Sequence, residues 1–313
     1  VATTCDLAPR LRILLRLLRQ AFDDRYWAML ALALLALGML ACNAGAVVTP
    51  TPSPTPLMTP TPIPPSAIPP PSPTPPLPAE WVEALLGLSV REMTIPAAGK
   101  STEARAALVR IDPQRFDIRV LYHPDQPRPV SAWRESSGAL VVANGGFFQA
   151  DHTTAGLIIS DGVPTGVSFD QTLDAFAAPG MFSVRDGIPN IHFLAQRAYD
   201  PQIDAADDAV QGFPILIGDG GVAGEFALPD RVAWRTVVGR DAKGDVYLIN
   251  VSRGEVTLLR LRDWLANESG LGLAAALNLD GGPSSGLAIW AGGVNATLDS
   301  VSSVPSVIAV VEK

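Results

Sequence analysis

Three times along the chain a short apolar run stops at a polar side chain and a pair of glycines. The runs are Val141-Val142-Ala143-Asn144-Gly145-Gly146, Ile215-Leu216-Ile217-Gly218-Asp219-Gly220-Gly221 and Ala276-Leu277-Asn278-Leu279-Asp280-Gly281-Gly282. Apolar runs this short, bounded by glycine, read as strands of a buried sheet, and the glycines allow positive φ or close approach of a ligand. Asp280 is the only ionisable residue between Glu268 and Asp299, so its carboxylate is expected at the edge of a buried sheet. Behind it, the amides and hydroxyls around Ser284 and Ser285 can form an anion-receptive nest, from which Pro283 removes one N–H. A plainer reading of Asp-Gly-Gly is a tight turn with the aspartate bonded to its own backbone. The repetition of the device at Asn144 favours two strand ends that share one pocket.

Composition changes sharply before this region. Arg10, Arg12, Arg16, Arg19 and Arg25 precede Trp27–Cys42, which carries no charge, the pattern of an export signal. Met39-Leu40-Ala41-Cys42 resembles a bacterial lipoprotein box, with Cys42 as the lipidated residue. The alternative is an uncleaved anchor, since the 22 residues Trp27–Val48 are interrupted only by Asn43 and can cross a hydrocarbon core of about 30 Å. Either way the arginines stay inside and the remainder is exported, tethered to the membrane. Cys5 and Cys42 are the only cysteines, so the exported part is expected to hold no disulfide. Residues 1–41 contain five Arg and three Asp, leaving a net charge of −10 against −8 for the whole chain. An acidic domain argues against unassisted nucleic-acid binding.

Residues 43–78 are rich in Thr, Ser and Pro, and the uncharged tract Thr49–Pro78 is expected to be a disordered, extended spacer. The organisation expected is therefore a targeting segment over 1–42, a linker over 43–78 and one domain over 79–313. That last block is long enough for one large core. Its fold is expected to be α+β, a single strand-rich mixed-sheet domain with a few helices. Trp81–Leu88 reads as a short helix. Residues 104–111 and 116–122 read as strands about an Asp112-Pro113-Gln114 turn, and Phe116, Ile118, Val120 and Tyr122 share one face. Further strands are expected near 156–160 and 182–185, each closed by Asp-Gly, and at 287–290 and 304–311. Residues 234–240 and 246–251 make a hairpin. Leu258–Glu268 has apolar residues at 258, 261, 264 and 265, one helix face. The aspartate-rich stretch 196–210 is expected to be a solvated surface loop.

No phosphate-binding loop, dinucleotide fingerprint or nucleophile elbow is present. His123, His152 and His192 lack metal-ligand spacing, and neither a metal nor a cofactor is expected. What remains is an arginine, an aspartate, an asparagine and glycines. That inventory suits a phosphorylated sugar, because a guanidinium forks onto phosphate oxygens and a carboxylate works at an acetal carbon. Arg235, near the start of an apolar strand, is the best cation. Its alternative is a structural ion pair with Asp219 or Asp280.

Asn144-Gly145-Gly146-Phe147-Phe148, then Arg235-Thr236 with Gly239, then Asn278-Leu279-Asp280-Gly281-Gly282 with Ser284-Ser285 resemble, in that order, the bacterial phosphodiester glycosidase domain. Its animal relatives include the lysosomal-targeting uncovering enzyme, which removes N-acetylglucosamine from a phosphodiester on mannose. The resemblance covers about Ala104–Lys313, and Gly212, Pro214 and Gly220 fit the family's middle segment. Pro283, Gly286 and Val232-Ala233-Trp234 depart from the family's pattern. The resemblance implies hydrolysis of a sugar-1-phosphodiester in a glycan or cell-envelope polymer, without a cofactor. It makes Asp280 and Arg235 catalytic, with Asp280 as base or nucleophile. Asn144, Gly145, Gly146, Thr236, Asn278, Gly281, Gly282, Ser284 and Ser285 are then the substrate-binding set. Two rival readings use the same residues: a module that binds anionic polysaccharide without cleaving it, and another glycosidic reaction with Asp219 as second carboxylate.

Overall fold

The computed structural model describes residues 76–313, so the targeting segment with Cys42, and nearly all of the spacer, lie outside the described residues. The described residues form three sheets. The largest has the order β1 (Val82–Leu85), β2 (Leu88–Ile95), β3 (Ala104–Ile111), β14 (Val246–Val256), β13 (Ala233–Asp241), β15 (Leu273–Asn278), β11 (Ile215–Gly218), β12 (Val222–Ala223). A second runs β7 (Val163–Thr165), β6 (Ile158–Ser160), β10 (Asp208–Gly212), β8 (Gly180–Arg185), β9 (Ile188–Phe193). The third runs β17 (Val294–Leu298), β16 (Leu287–Ala291), β5 (Val141–Asn144), β18 (Ser306–Glu312), β4 (Phe116–Tyr122). The strand-rich expectation agrees with this architecture. Every strand pair is antiparallel, which corrects the expectation of a mixed sheet.

Alternation along the strands decides what each face meets. Ala107, Val109 and Ile111 of β3 join Phe116, Ile118 and Val120 of β4 in a core to which all three sheets contribute. The intervening Ala104, Ala106 and Leu108 face the opposite way, into a second core with Leu258, Leu261, Trp264 and Leu265 of helix α2 (Leu258–Asn267). The helix starts where the Thr257 hydroxyl accepts the Arg260 amide, an N-cap. Helix α1 (Val130–Ser137) covers the outer face of β5, β16 and β18 through Val130 and Trp133. With only those two residues buried, it leaves no periodic signal to read in advance.

Two expectations fail for identifiable reasons. Trp81–Leu88 is not a helix: β1 and β2 turn about Leu86-Gly87, where Gly87 takes φ 88° and a side chain would strike Arg115. The stretch 196–210 is not simply a solvated loop either. Asp204 and Asp208 are both 6% exposed, Asp204 paired with Arg197 and Asp208 accepting the Val120 amide at 2.9 Å.

The antiparallel registers bring the C-terminal ends of β4 and β5 and the N-terminal ends of β16 and β18 to one edge. The end of β15 in the largest sheet meets them there, through an Asp280 amide that donates to the Gly145 carbonyl at 3.3 Å.

Candidate active site

The site is built on one buried carboxamide. Asn144, wholly buried at the end of β5, donates through Nδ2 to the Asp280 main-chain carbonyl at 2.8 Å. Its Oδ1 accepts from the Thr236 hydroxyl at 2.6 Å and from the Gly286 amide at 3.1 Å. Asn250, mid-strand in β14 and also fully buried, donates to Thr236 Oγ1 at 3.4 Å and accepts from the Ser252 hydroxyl at 2.7 Å. A buried polar network in which every group is paired fixes a geometry strongly, because an unpaired member in low dielectric is expensive. Asn144 and Thr236 were expected to touch substrate. Instead both are fully buried and their polar atoms are engaged within the protein.

Asp280 follows directly. One carboxylate oxygen accepts its neighbour's amide, Gly281 N–H, at 2.8 Å, and the side chain is half-buried. Burial pushes its carboxyl up to about 6, against the opposing pull of the Ser284 hydroxyl and the Gly281 amide. No charged neighbour enters that balance. Asp219 belongs elsewhere: β11 and β15 are antiparallel with Ile217 beside Ala276, which sends Asp219 toward the far end of β15, roughly 20 Å from Asp280 at a strand's rise per residue. It is therefore neither a second carboxylate at the site nor a partner for Arg235.

Arg235, half-buried near the start of β13, spends two of its three nitrogens on backbone. Nε donates to the Val256 carbonyl at 3.2 Å and Nη2 to the Arg231 carbonyl at 2.6 Å. Among the described residues no carboxylate lies within ion-pair distance of it. Nη1 lies 3.8 Å from where a Cβ on Gly281 would sit. Burial lowers the guanidinium to about 10, with the Asp230 carboxylate opposing it, so it remains a cation at neutral pH.

The glycines are there for close packing. A Cβ on Gly145 would meet Ser306 Oγ at 2.5 Å and its carbonyl at 3.0 Å, one on Gly146 would meet Val210 and the Gln211 carbonyl, and one on Gly281 would lie 2.8 Å from the Trp234 carbonyl. Gly282 differs: it has φ 59° and open space around it. Asn278 donates to the Phe213 and Leu279 carbonyls at 2.7 and 2.8 Å. Ser284 and Ser285 are buried, and among the described residues Ser285 Oγ, Ser306 Oγ and Asn278 Oδ1 have no hydrogen-bond partner.

This arrangement, a raised carboxylate at Asp280 and an arginine packed near Gly281 without an ion-pair partner among the described residues, draws on the Asn144, Arg235 and Asp280 stretches singled out above. A sequence model of the phosphodiester glycosidase family matches residues 137–311, more than half of the chain. The chain belongs to that family. Phosphodiester glycosidases are hydrolases, and the matched span contains Asn144, Arg235 and Asp280. Among solved structures, the fold is similar to the catalytic domain of zebrafish N-acetylglucosamine-1-phosphodiester alpha-N-acetylglucosaminidase, auto-inhibited by its pro-peptide. The TM-score is 0.57 at 17% identity, covering 72% of this chain and 84% of that one. A hypothetical protein from Synechocystis is similar at TM-score 0.53 and 15% identity, covering 77% and 64%. No curated protein matches the sequence significantly.

Within this phosphodiester glycosidase, sequence reasoning missed Asn250 and Ser306. An asparagine flanked by Ile249 and Val251 on a buried strand was the available signal for the first, since a buried amide requires partners. Ser306 stands out only once it is paired against Gly145.

Proposed function

We propose that the chain hydrolyses the glycosidic bond of a sugar-1-phosphodiester carried on a glycan or cell-envelope polymer. The observation that carries this reading is Arg235: a half-buried cation with no ion-pair partner among the described residues, Asp230 acting on it only beyond ion-pair distance, and with Nη1 3.8 Å from where a Cβ on Gly281, the residue after Asp280, would sit. A buried charge without an ion-pair partner is costly unless a group of opposite sign completes it, and a guanidinium fits a phosphate. The bond from the anomeric carbon to the phosphate oxygen breaks, and its electron pair leaves with the phosphate, now a monoester. A phosphate monoester departs without protonation, which suits a site with one carboxylate and no acid partner. Arg235 stabilises the charge developing on the departing phosphate. Asp280 supplies electrons at the anomeric carbon, either by taking a proton from the attacking water or by attacking and being released by water. In this scheme Asn144 and Thr236 position Asp280, while the Gly281-Gly282 turn, Ser284 and Ser285 form the floor under the phosphate.

The same proposal places the enzyme outside the cytoplasmic membrane, tethered through Cys42 or the apolar segment around it. The uncharged run Trp27–Cys42 supports this. Hydrolysis of a chromogenic sugar-1-phosphodiester by the wild type, abolished in Asp280→Asn, is the expected result. Binding of the diester with no turnover in either protein would make it a recognition module instead. Cys42→Ser is expected to leave the membrane fraction if the tether is a lipid, and to stay if the segment is an anchor.

A further inference from the structure

Beside the candidate site stand two aromatic rings that the reaction scheme leaves unused. Phe147, two residues beyond Gly145, stacks on Phe213 with ring centres 4.4 Å apart and an interplanar angle of 20°. Both residues are half-buried. Phe169, which is 3% exposed, supports them from behind edge-on, at 5.4 Å and 82° to Phe213 and at 6.4 Å and 62° to Phe147. Phe169 is itself fixed, because the buried Gln211 accepts its amide at 2.8 Å and donates to the Ser168 hydroxyl at 2.7 Å. The pair is thus a rigid apolar wall rather than two loose surface side chains.

Its position relative to the charges is defined by the chain. Asp280 lies between Asn278, whose Nδ2 holds the Phe213 carbonyl at 2.7 Å, and Gly281, which abuts Arg235. Phe147 follows Gly145, whose carbonyl accepts the Asp280 amide at 3.3 Å, so the aromatic pair reaches the Asp280 turn through the backbones of Gly145 and Phe213, and the guanidinium reaches it from the separate strand β13. A hexopyranose has a comparable division: one ring face presents axial C–H bonds that pack against an aromatic face, while the phosphate at its anomeric carbon is anionic. Small-molecule sites combine an apolar wall with a few placed polar groups in this way, the wall supplying affinity and the polar groups orientation.

We propose that Phe147 and Phe213 form the subsite for the sugar ring, so that the hexopyranose packs on the aromatic pair with its phosphate toward Arg235. This rests on the reading of the chain as a sugar-1-phosphodiester hydrolase and adds the orientation of the substrate to it. Phe213 and Phe147 are then specificity residues: they select a pyranosyl diester over a diester of an acyclic alcohol.

The test uses the full chain, with the methyl diester of α-glucose 1-phosphate as substrate and α-glucose 1-phosphate as binding probe. Phe213→Leu keeps apolar bulk but loses the aromatic face, and Phe213→Tyr restores it. A single aromatic contact of this size is worth about 10-fold, so Phe213→Leu is expected to raise KM about 10-fold with kcat nearly unchanged, and Phe213→Tyr to match the wild type. In saturation-transfer NMR, irradiation of the aromatic protons is expected to label the axial ring protons of the probe in the wild type and in Asp280→Asn, and more weakly in Phe213→Leu at the same probe concentration. Should Phe213→Leu fail to fold, Phe147→Leu takes its place. An unchanged KM in the leucine variant of an active enzyme overturns the subsite and leaves the hydrolase reading intact. If the wild type turns over no diester, that reading fails, and the NMR decides alone: aromatic labelling of the sugar upholds the subsite and its absence overturns it.

Discussion

The Asn144 side-chain amide donates to the main-chain carbonyl of Asp280 at 2.8 Å, joining residues 136 apart in sequence. The Gly145 carbonyl accepts the Asp280 amide at 3.3 Å, so the backbone of Asp280 is held on both sides by one strand end. The single oxygen of the carboxamide, Oδ1, gathers in Thr236 and Gly286. Asp280, Thr236 and Gly286 thus converge on a single side chain, and the Asp280 backbone is fixed from behind its carboxylate.

Asn144→Ala removes these bonds together. It leaves the Gly286 amide and the Asp280 carbonyl without their partner, and each unpaired buried group costs about 1 to 3 kcal/mol. Both the melting temperature and kcat are expected to fall. Asn144→Asp tests the donor alone, because an ionised carboxylate has the right shape but faces the Asp280 carbonyl with a lone pair. Burial raises its pKa above that of the unfolded chain, so its native state is expected to weaken as pH rises through that value and to recover on acidification. Chemical denaturation at pH 4 and pH 7 measures the difference. A variant equally stable at both would show that the Nδ2 bond contributes nothing.

Arg235→Lys conserves charge and loses shape. An ammonium cannot hold the Val256 and Arg231 carbonyls and still present a nitrogen past Gly281. If Arg235 acts on charge that develops as the phosphate departs, the loss is about 2 to 4 kcal/mol, or about 30-fold to 1000-fold, and falls on kcat. Steady-state kinetics on a sugar-1-phosphodiester provide the check. Turnover within a few-fold of the wild type would make Arg235 a structural cation.

How much of this was legible in the sequence varies with the kind of signal. Strands β3 and β4, the hairpin β13–β14 and helix α2 were readable because alternation or a helical stripe runs their whole length. β1 was not, since its four residues Val82–Leu85 are half-buried or exposed, and a short apolar stretch carries no period. Among the candidate residues, the glycine-terminated strand ends at Asn144 and Asp280 pointed to one shared location, and the structure brings them together. Their division of labour was hidden: burial, not residue type, separates the engaged Asn144 from the half-exposed Asp280. Asp219 shows the converse. Its Asp-Gly-Gly looks like that of Asp280, but it follows a strand running the opposite way in the sheet.

The raised carboxyl of Asp280 gives two opposite pH dependences. Catalysis by either route needs the anion, so kcat/KM is expected to fall as pH drops through about 6. Stability runs the other way. With its folded pKa above the unfolded value, ionised Asp280 destabilises the fold above about pH 6, and the penalty disappears below the ordinary carboxylate range. Asp280→Asn is therefore expected to be inactive yet at least as stable as the wild type at pH 7, an advantage that vanishes near pH 4. Paired melting and rate profiles against pH test both. A collapsed melting temperature in Asp280→Asn would return the residue to a turn-forming role.

Gly281 and Gly282 are interchangeable in sequence and opposite in structure, and that contrast isolates how closely Asp280 and Arg235 must be placed. Gly281 has φ −127° and ψ −165°, extended backbone open to any residue, but its added Cβ would lie 2.8 Å from the Trp234 carbonyl, a backbone atom of the strand that carries Arg235. Gly282 has φ 59° and nothing within 4 Å of an added Cβ. Within the protein Gly282→Ala therefore imposes left-handed strain, about 1 to 2 kcal/mol, and it adds a methyl to the proposed phosphate floor, so it is expected to lower the melting temperature and raise KM while kcat changes less than in Gly281→Ala. Gly281→Ala has no strain in φ and must instead push the Asp280 turn and the start of β13 apart. A displacement of about 1 Å between reacting groups can cost on the order of 100-fold in rate, so Gly281→Ala is expected to lose activity out of proportion to its stability. Melting curves and kcat for the two alanine variants make the comparison. Equal activity in both would mean that the spacing between Arg235 and Asp280 tolerates the shift, and that the two residues do not act on the same bond.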